Sequence, residues 1–311
     1  MAVHVIRERT RFGVLFKLRK EQVVLRIFLL VPVAFILAFT VFPLIYNVVL
    51  SFQEVTVFTL TRQRPFVGLE NYRMLLEDIS FRQILKNSMI FTLASVVFQF
   101  VLGFALALFF GIGFRWSETL RGLIVAGWMV PPLVVGTVWK WILNTDFGVL
   151  NYFLKRLGII DQSIGWLVSP DTAMLGVIMA NIWFGIPFNL MLLAAGLAGV
   201  PSEVYDAAKV DGANAWGRLR YITLPLLRPA ILATLILGFI YTLRVFDLIW
   251  VMTRGGPVNA TNVLPVWSYQ LSFEFFDYGK GAAIANIILV ILFAMSLLYV
   301  AFAVGNEEEQ G

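Results

Sequence analysis

The chain has 311 residues, of which 59% are hydrophobic and only 14% are charged, and its formal net charge is +5. Soluble domains carry about 25% charged and about 45–50% apolar residues, so this composition excludes an ordinary soluble globule, a disordered chain and a nucleic-acid-binding protein. The sequence has no cysteine and a single histidine, His4, which excludes disulfides, a thiolate or histidine metal cluster and a Ser-His-Asp triad. The composition instead predicts a protein that crosses a membrane several times.

Six mostly apolar stretches, each close to the length of about 20 residues that a spanning helix needs, follow one another along the chain. The predicted spans are residues 27–49, 88–111, 122–143, 173–197, 230–252 and 281–305. The sequence therefore predicts an all-α polytopic membrane protein, with one six-span domain at 27–305 between a basic tail at 1–26 and a short tail at 306–311. Pro131 and Pro132 lie in the middle of the third span and predict a kink there.

Lysine and arginine are unevenly distributed around these spans. Seven of the 24 lie in the tail at 1–26, immediately before the first span. Because cytoplasmic segments carry the excess of basic residues, we expect both termini on the cytoplasmic side of the cell inner (plasma) membrane, with the spans in contact with lipid. The loop at 198–229 is then cytoplasmic, and three loops of about 28 to 35 residues face outward, where they are long enough to form a docking platform.

The cytoplasmic loop at 198–229 is predicted to form a short helix, a turn and a second amphipathic helix. Its first helix begins near Pro201 and Glu203, and Gly212 supplies the left-handed residue that ends it. Val204, Ala207, Ala208 and Asp211 share one face of this helix. Small residues on one side and acids on the other favour docking of a protein, although amphipathic helices also rest in lipid headgroups.

Parts of this loop resemble the "EAA" signature of permease subunits of binding-protein-dependent ABC transporters. The matching residues are Asp206, Ala207, Ala208, Asp211, Gly212, Ala213 and Pro225, with Asp206 where the signature usually has glutamate. Further segments resemble the maltose-type sugar-permease branch: Phe66–Tyr72, Pro131, Trp139, Gly148, Asn151 and Thr253–Pro257. The resemblance extends over nearly the whole chain, from about residue 27 to 305.

This resemblance implies the type I permease fold of ABC importers and a set of partners. They would be a second permease subunit, two copies of an ABC ATPase, an extracytoplasmic solute-binding protein and a carbohydrate substrate. The signature loop, with Glu203, Asp206 and Asp211, would seat on the ATPase and couple its closure to the membrane helices. The sequence has no G-x-x-x-x-G-K-[ST] loop. We therefore expect no cofactor, no metal and no catalytic residue in this chain, with ATP and Mg²⁺ bound by the partner ATPase.

A solute path is predicted from polar and aromatic side chains inside the spans. Arg244 and Asp247 are costly inside a membrane unless they are paired or face water, and their spacing on one helix would allow a structural ion pair instead. Amides and aromatic rings suit a hydroxyl-rich solute, although amides also bridge packed helices. The candidates are Gln99, Asn181, Phe184, Tyr241, Thr242, Arg244, Phe246, Asp247 and Asn286.

Three other functions are alternatives at this point. Glycerol-phosphate-type solutes are carried by relatives of the sugar-permease branch. An ion-coupled secondary transporter would need inverted repeats, broken helices and buried acids, and Asp247 is the one acid that the spans offer. A membrane-embedded enzyme would need paired acids, histidine or cysteine inside the spans, which the sequence does not provide.

Overall fold

The computed structural model describes residues 28–308, with side chains as far as Ala301, so the predicted basic tail at 1–26 with His4 lies outside the described residues. Four long helices are apolar enough to cross a membrane. They are α1 (Phe28–Ser51), α3 (Ile79–Gly111), α7 (Pro170–Ala198) and α13 (Tyr278–Glu308). Within residues 28–308 the chain forms helices and two isolated β-bridges but no strands, which confirms the all-α prediction.

Two pairs of shorter helices pass the same test when each pair is taken together. The first is α4 (Ser117–Met129) with α5 (Pro132–Ile142), bent by 100°. The second is α9 (Ala215–Leu226) with α10 (Arg228–Leu243), bent by 69°. Counting each pair as one span gives up to six crossings. The remaining helices are short: α2 (Glu70–Glu77), α6 (Val149–Arg156), α8 (Ser202–Val210), α11 (Asp247–Met252) and α12 (Leu264–Tyr269).

The third predicted span, 122–143, is not one kinked helix but two helices at a steep angle. Val130 and Pro131 adopt extended backbone, with ψ of 128° and 138°, and Pro132 begins α5. A proline donates no backbone hydrogen bond and disfavours helical geometry in the residue before it. Two consecutive prolines therefore end one helix and start the next, instead of bending a continuous one.

The fifth predicted span, 230–252, is also interrupted. Helix α10 ends at Leu243, and α11 begins only at Asp247. The break contains no proline or glycine, so no local signal in the sequence marks it. It places Asp247 in the first turn of α11, where the helix dipole stabilises an acid.

Two predicted boundaries also differ from the structure. Helix α3 begins at Ile79 instead of 88, capped by Asp78, whose side chain accepts a hydrogen bond from the Ser80 backbone N–H at 2.8 Å. The prediction excluded this first part because it contains Arg82 and Lys86, yet a spanning helix can project beyond the apolar layer. At the other terminus α13 continues to Glu308, past the predicted end of the last span at 305.

The loops gather at two opposite ends of the helices. We call the end formed by residues 52–78, 143–169 and 253–277 the long-loop end; there the Tyr278 backbone N–H donates to the Val55 carbonyl at 2.8 Å. We call the end formed by residues 112–116 and 199–214 the elbow end. Between the two ends, α3 and α7 pack along each other and form the centre of the fold.

Helices α3 and α7 approach so closely that one position admits only glycine. A Cβ atom added to Gly103 would lie 2.5 Å from Asn189 Cβ and 3.0 Å from the Leu190 backbone nitrogen. Backbone atoms cannot move aside as a flexible side chain can, so any larger residue would push the helices apart. Small residues commonly allow such close helix contacts in membranes.

We expect Gly103→Ala to destabilise the chain by about 1–3 kcal/mol through overpacking of this contact. Gly111→Ala at the end of the same helix is the matched control, because a Cβ there meets no atom within 4 Å. The measurement is the thermal denaturation midpoint of both variants in detergent. Equal midpoints for the two variants would show that the helices tolerate separation.

Candidate solute cavity and coupling elbow

Two of the helix interruptions meet around one cavity of about 540 Å³. The break between α4 and α5, the break between α10 and α11, and the middle of α3 and α7 all contribute to its wall. The lining residues are Gln99, Trp128, Pro132, Asn181, Phe184, Gly185, Phe188, Gly238, Tyr241, Thr242, Arg244, Val245, Phe246, Asp247 and Leu248. The wall combines amide groups, aromatic rings and two charges.

The amide side of the cavity is formed by α3 and α7. Gln99 is buried and donates a hydrogen bond from Nε2 to the Asn181 carbonyl at 2.7 Å. Its side chain lies against Gly185, where any Cβ would collide with the amide. The Asn181 Nδ2 is buried and has no hydrogen-bond partner among the described residues. A buried amide donor without a partner is costly, and a polar solute in the cavity could satisfy it.

The aromatic side consists of three rings and a guanidinium in succession. The ring centroids of Trp128 and Phe188 are 5.7 Å apart, and Phe188 meets Tyr241 edge to face at 5.3 Å. The Arg244 guanidinium carbon lies 5.6 Å from the centre of the Tyr241 ring. Such a wall offers apolar faces for stacking and a cation that the ring quadrupole holds in place.

The sequence left two roles open for Arg244 and Asp247, a structural ion pair and a place in the wall of a solute cavity, and the described structure has the second. Among residues 28–308 no carboxylate lies within 4.0 Å of Arg244, and both side chains are exposed and line the cavity. The ion-pair alternative assumed one continuous helix, whereas the break at 244–246 places Arg244 at the end of one helix and Asp247 at the start of another. Arg244 caps the carboxyl end of α10 and Asp247 begins α11, so each charge interacts favourably with a helix dipole.

Eight of the nine residues proposed for a solute path therefore lie around one cavity; the exception is Asn286. Asn286 packs far from it, accepting a hydrogen bond from Asn47 Nδ2 at 2.8 Å and donating one to the Tyr72 hydroxyl at 3.1 Å. Sequence reasoning missed Trp128 and Phe188. The signal for Phe188 was its spacing of four from Phe184, which places both rings on the same side of α7.

At the elbow end, α8 and α9 form the helix-turn-helix that the sequence predicts. Gly212 has φ of +78° and ends α8, and the Ala213 backbone N–H donates to the Ala208 carbonyl at 2.9 Å. The Asn214 side chain then caps α9 by accepting from the Gly217 backbone N–H at 2.7 Å. These caps hold a stiff elbow.

The face of α8 that carries the small residues is mostly exposed. On the face shared by Val204, Ala207, Ala208 and Asp211 only Ala208 is buried. Within the elbow, Tyr205 joins α8 to α9, because its hydroxyl lies 3.1 Å from Thr223 Oγ1. Most of this face is therefore accessible at the elbow end of the molecule. The side chains of Glu203 and Pro225 are exposed there as well.

The charges of the elbow are solvated. Asp206 is bridged by Lys209 at 2.8 Å, and both side chains are more than half exposed. A groove of about 960 Å³ separates α8 from the turn between α3 and α4.

The described residues contain no cluster of acids and histidine able to hold a metal ion.

A polytopic helical protein with a polar and aromatic cavity inside its spans has the architecture of a membrane permease. The chain belongs to the family of binding-protein-dependent transport system inner membrane components, whose family model matches residues 99–305. That region contains both the cavity and the elbow. The chain is accordingly the permease component of an ABC transport system of the inner membrane, and the resemblance seen in the sequence is confirmed. Family membership assigns the chain to ABC transport and not to ion-coupled secondary transport.

Relatives of known assignment agree with this family. The chain is 32% identical to the trehalose/maltose transport system permease protein MalF of Thermococcus litoralis, over 91% of this chain and 95% of that one. It is 34% identical to the sulfoquinovosyl glycerol transport system permease protein SmoG of Agrobacterium fabrum, over 89% and 88%. A solved bacterial alginate ABC transporter shares the fold, with a TM-score of 0.77, 22% identity and coverage of 90% and 93%.

The separation of Arg244 from Asp247 predicts that Arg244→Ala has little effect on stability. Loss of the contact with Tyr241 should cost less than about 1 kcal/mol, whereas breaking a buried ion pair costs about 3–5 kcal/mol. Arg254→Ala is the matched control, because its guanidinium carbon lies at the same 5.6 Å over the ring of Trp250, away from the cavity. Thermal denaturation of the two variants should give similar midpoints. A much lower midpoint for Arg244→Ala alone would show that Arg244 is part of an ion pair after all.

Proposed function

We propose that this chain forms one half of the membrane path of an ABC importer for a carbohydrate, a mono- or oligosaccharide or a sugar derivative. The observation that carries the proposal is the cavity, whose wall combines aromatic rings with the amide of Asn181, a donor that has no partner among the described residues. Sugars present hydroxyl groups around the rim of each ring and an apolar face, which this combination can bind. The names of relatives, which include trehalose/maltose and diacetylchitobiose uptake systems, support the same class of solute.

Glycerol-phosphate-type solutes are the second candidate, and one observation favours them. Arg244 is exposed in the cavity and has no carboxylate partner in the described part of the chain, and a guanidinium binds a phosphate in bidentate fashion. Asp247 in the same wall weighs against a strongly anionic solute, because it would repel one. The carbohydrate assignment accounts for both charges as hydrogen-bond partners of hydroxyl groups.

The proposal includes the partners and the orientation. A second permease chain would complete the path, two ABC ATPase subunits would bind ATP and Mg²⁺, and an extracytoplasmic solute-binding protein would deliver the solute. The elbow would face the cytoplasm and dock on an ATPase, which the open face of α8 supports. The long-loop end would then face outward. The chain itself would hydrolyse no ATP, because its 311 residues contain no phosphate-binding loop.

Uptake measurements test the solute class. Cells that express the complete transporter are given labelled trehalose, maltose or glycerol 3-phosphate. We expect the wild type to take up a sugar. The uptake rate should fall at least tenfold in Arg244→Ala, because the cavity loses a hydrogen-bond donor, and should be unchanged in Arg254→Ala. The ATPase activity of the Arg244→Ala complex should persist, since the elbow is unchanged. Uptake of glycerol 3-phosphate without uptake of either sugar would favour the second candidate.

A second experiment tests the elbow. A β-branched residue is strained at positive φ, so we expect Gly212→Val to distort the turn after α8, weaken association with the ATPase and stop transport. Gly158→Val is the matched control: its φ is +67°, a Cβ also meets nothing within 4 Å, and it lies at the long-loop end. The measurement is the yield of co-purified ATPase per permease in the membrane. Equal ATPase yield and uptake in both variants would show that the elbow does not couple.

A further inference from the structure

A chain of hydrogen bonds crosses three helices at the long-loop end. The Tyr72 hydroxyl of α2 donates to Ser51 Oγ at the end of α1, at 2.8 Å. Asn286 Nδ2 of α13 donates to the same hydroxyl at 3.1 Å, and Asn47 Nδ2 of α1 donates to Asn286 Oδ1 at 2.8 Å. One tyrosine hydroxyl thus joins α2 to both α1 and α13.

Asn71, the residue before this tyrosine, also binds the end of α1, here through backbone carbonyl groups. Asn71 is buried, and its Nδ2 donates to the carbonyls of Ser51 and Gln53, each at 2.9 Å. The loop leaving α1 also lies directly against the start of α13, because a Cβ added to Gly279 would lie 2.5 Å from the Gln53 carbonyl oxygen. The segment Phe66–Tyr72, which the sequence singled out, therefore fastens the outer ends of α1 and α13 together.

Helix α1 depends on these polar contacts more than the other spans do. None of the residues in its most apolar stretch is buried by the described chain, and its long-helix neighbour is α13. In lipid the apolar faces of helices gain little from each other, so side-chain hydrogen bonds are what holds such a helix in one position. Asn286 lies eight residues into α13, so the polar contact extends about 12 Å along that helix.

These residues take no part in the solute cavity. Its lining comes from α3, α7 and the two helix breaks, and includes no residue of α1, α2 or α13. Helix α2 also packs on apolar residues of α12 and α13, where Leu75 lies with Leu264 and Ile284. On its other side α2 is open, with Leu76 and the preceding residue Leu69 exposed. The helix thus has one face fixed to the spans and one face free at the long-loop end.

We propose that α2, the end of α1 and α13 form one rigid lever, and that Tyr72 is the positioning residue that pins it. Docking of the solute-binding protein at the long-loop end presses on α2, and the pin transmits that displacement to the α1–α13 pair. This inference rests on the proposed function, which places that docking at the same end. It assigns the Phe66–Tyr72 segment a role in transmission of the docking signal and not in contact with the solute.

Tyr72→Phe tests the pin with minimal disturbance. The ring remains beside Phe52, whose centroid is 5.8 Å away, and only the hydroxyl is removed. Tyr46→Phe is the matched control, because its hydroxyl accepts a hydrogen bond from Arg64 at 2.7 Å at an exposed site in the same region. In the complete reconstituted transporter we expect basal ATPase activity within twofold of wild type in both variants. Stimulation by the purified solute-binding protein of the same transporter should fall at least fivefold in Tyr72→Phe alone.

A distance measurement examines rigidity without any solute or binding protein. Because this chain has no cysteine, spin labels at Glu77→Cys and Val290→Cys report the α2–α13 distance once any cysteines of the partner subunits have been replaced. We expect one narrow distribution with and without ATP, broadened by Tyr72→Phe but not by Tyr46→Phe.

Unchanged stimulation together with unchanged distances in Tyr72→Phe would overturn the lever. A parallel loss of basal and stimulated activity would also overturn it, since that result denotes a purely structural residue. A wrong solute class gives a different result: the wild type would take up no sugar, while the effects of Tyr72→Phe on ATPase stimulation and on the α2–α13 distance would remain.

Discussion

The cavity depends on one constraint: a helix interrupted within an apolar layer must find polar partners for the backbone groups and charges that the interruption releases. Two of the interruptions in the described part of the chain, the one at Val130–Pro131 and the one at 244–246, border the same space. Neither could face lipid without leaving carbonyls or charges unsatisfied. The cavity is therefore where the fold can place its breaks, and the breaks in turn supply its polar wall.

The same helices connect this cavity to the elbow. Helix α7 contributes Asn181 and Phe188 to the wall and ends at Ala198, just before the elbow, and α10 follows directly after it. Glycine contacts at Gly103 and Gly196 bring α7 against its neighbours with no space for a Cβ. Closely packed helices of this kind move as units and not by local bending. A displacement at the elbow would thus reach the cavity as a rigid-body motion.

The residues predicted for the solute path show which arguments from sequence are dependable. Gln99, Asn181 and Tyr241 lie together because polar and aromatic side chains inside spans must avoid lipid, and one cavity receives them. Asn286 satisfies the same constraint differently, by bonding to Tyr72 and Asn47. The residue type at a given depth predicts that a partner is needed, whereas the identity of the partner is a property of the packing.

The sequence by itself determined the all-α class, the approximate places of the spans and the turn at Gly212, because each follows from local composition or backbone chemistry. Proline chemistry also located the break in the third span, although not its angle of 100°. Only the tertiary structure decided that α10 ends at Leu243 and that Arg244 and Asp247 do not pair. No breaker residue marks that site, so the break exists because packing of α10 and α11 against other helices stabilises two short helices more than one long one.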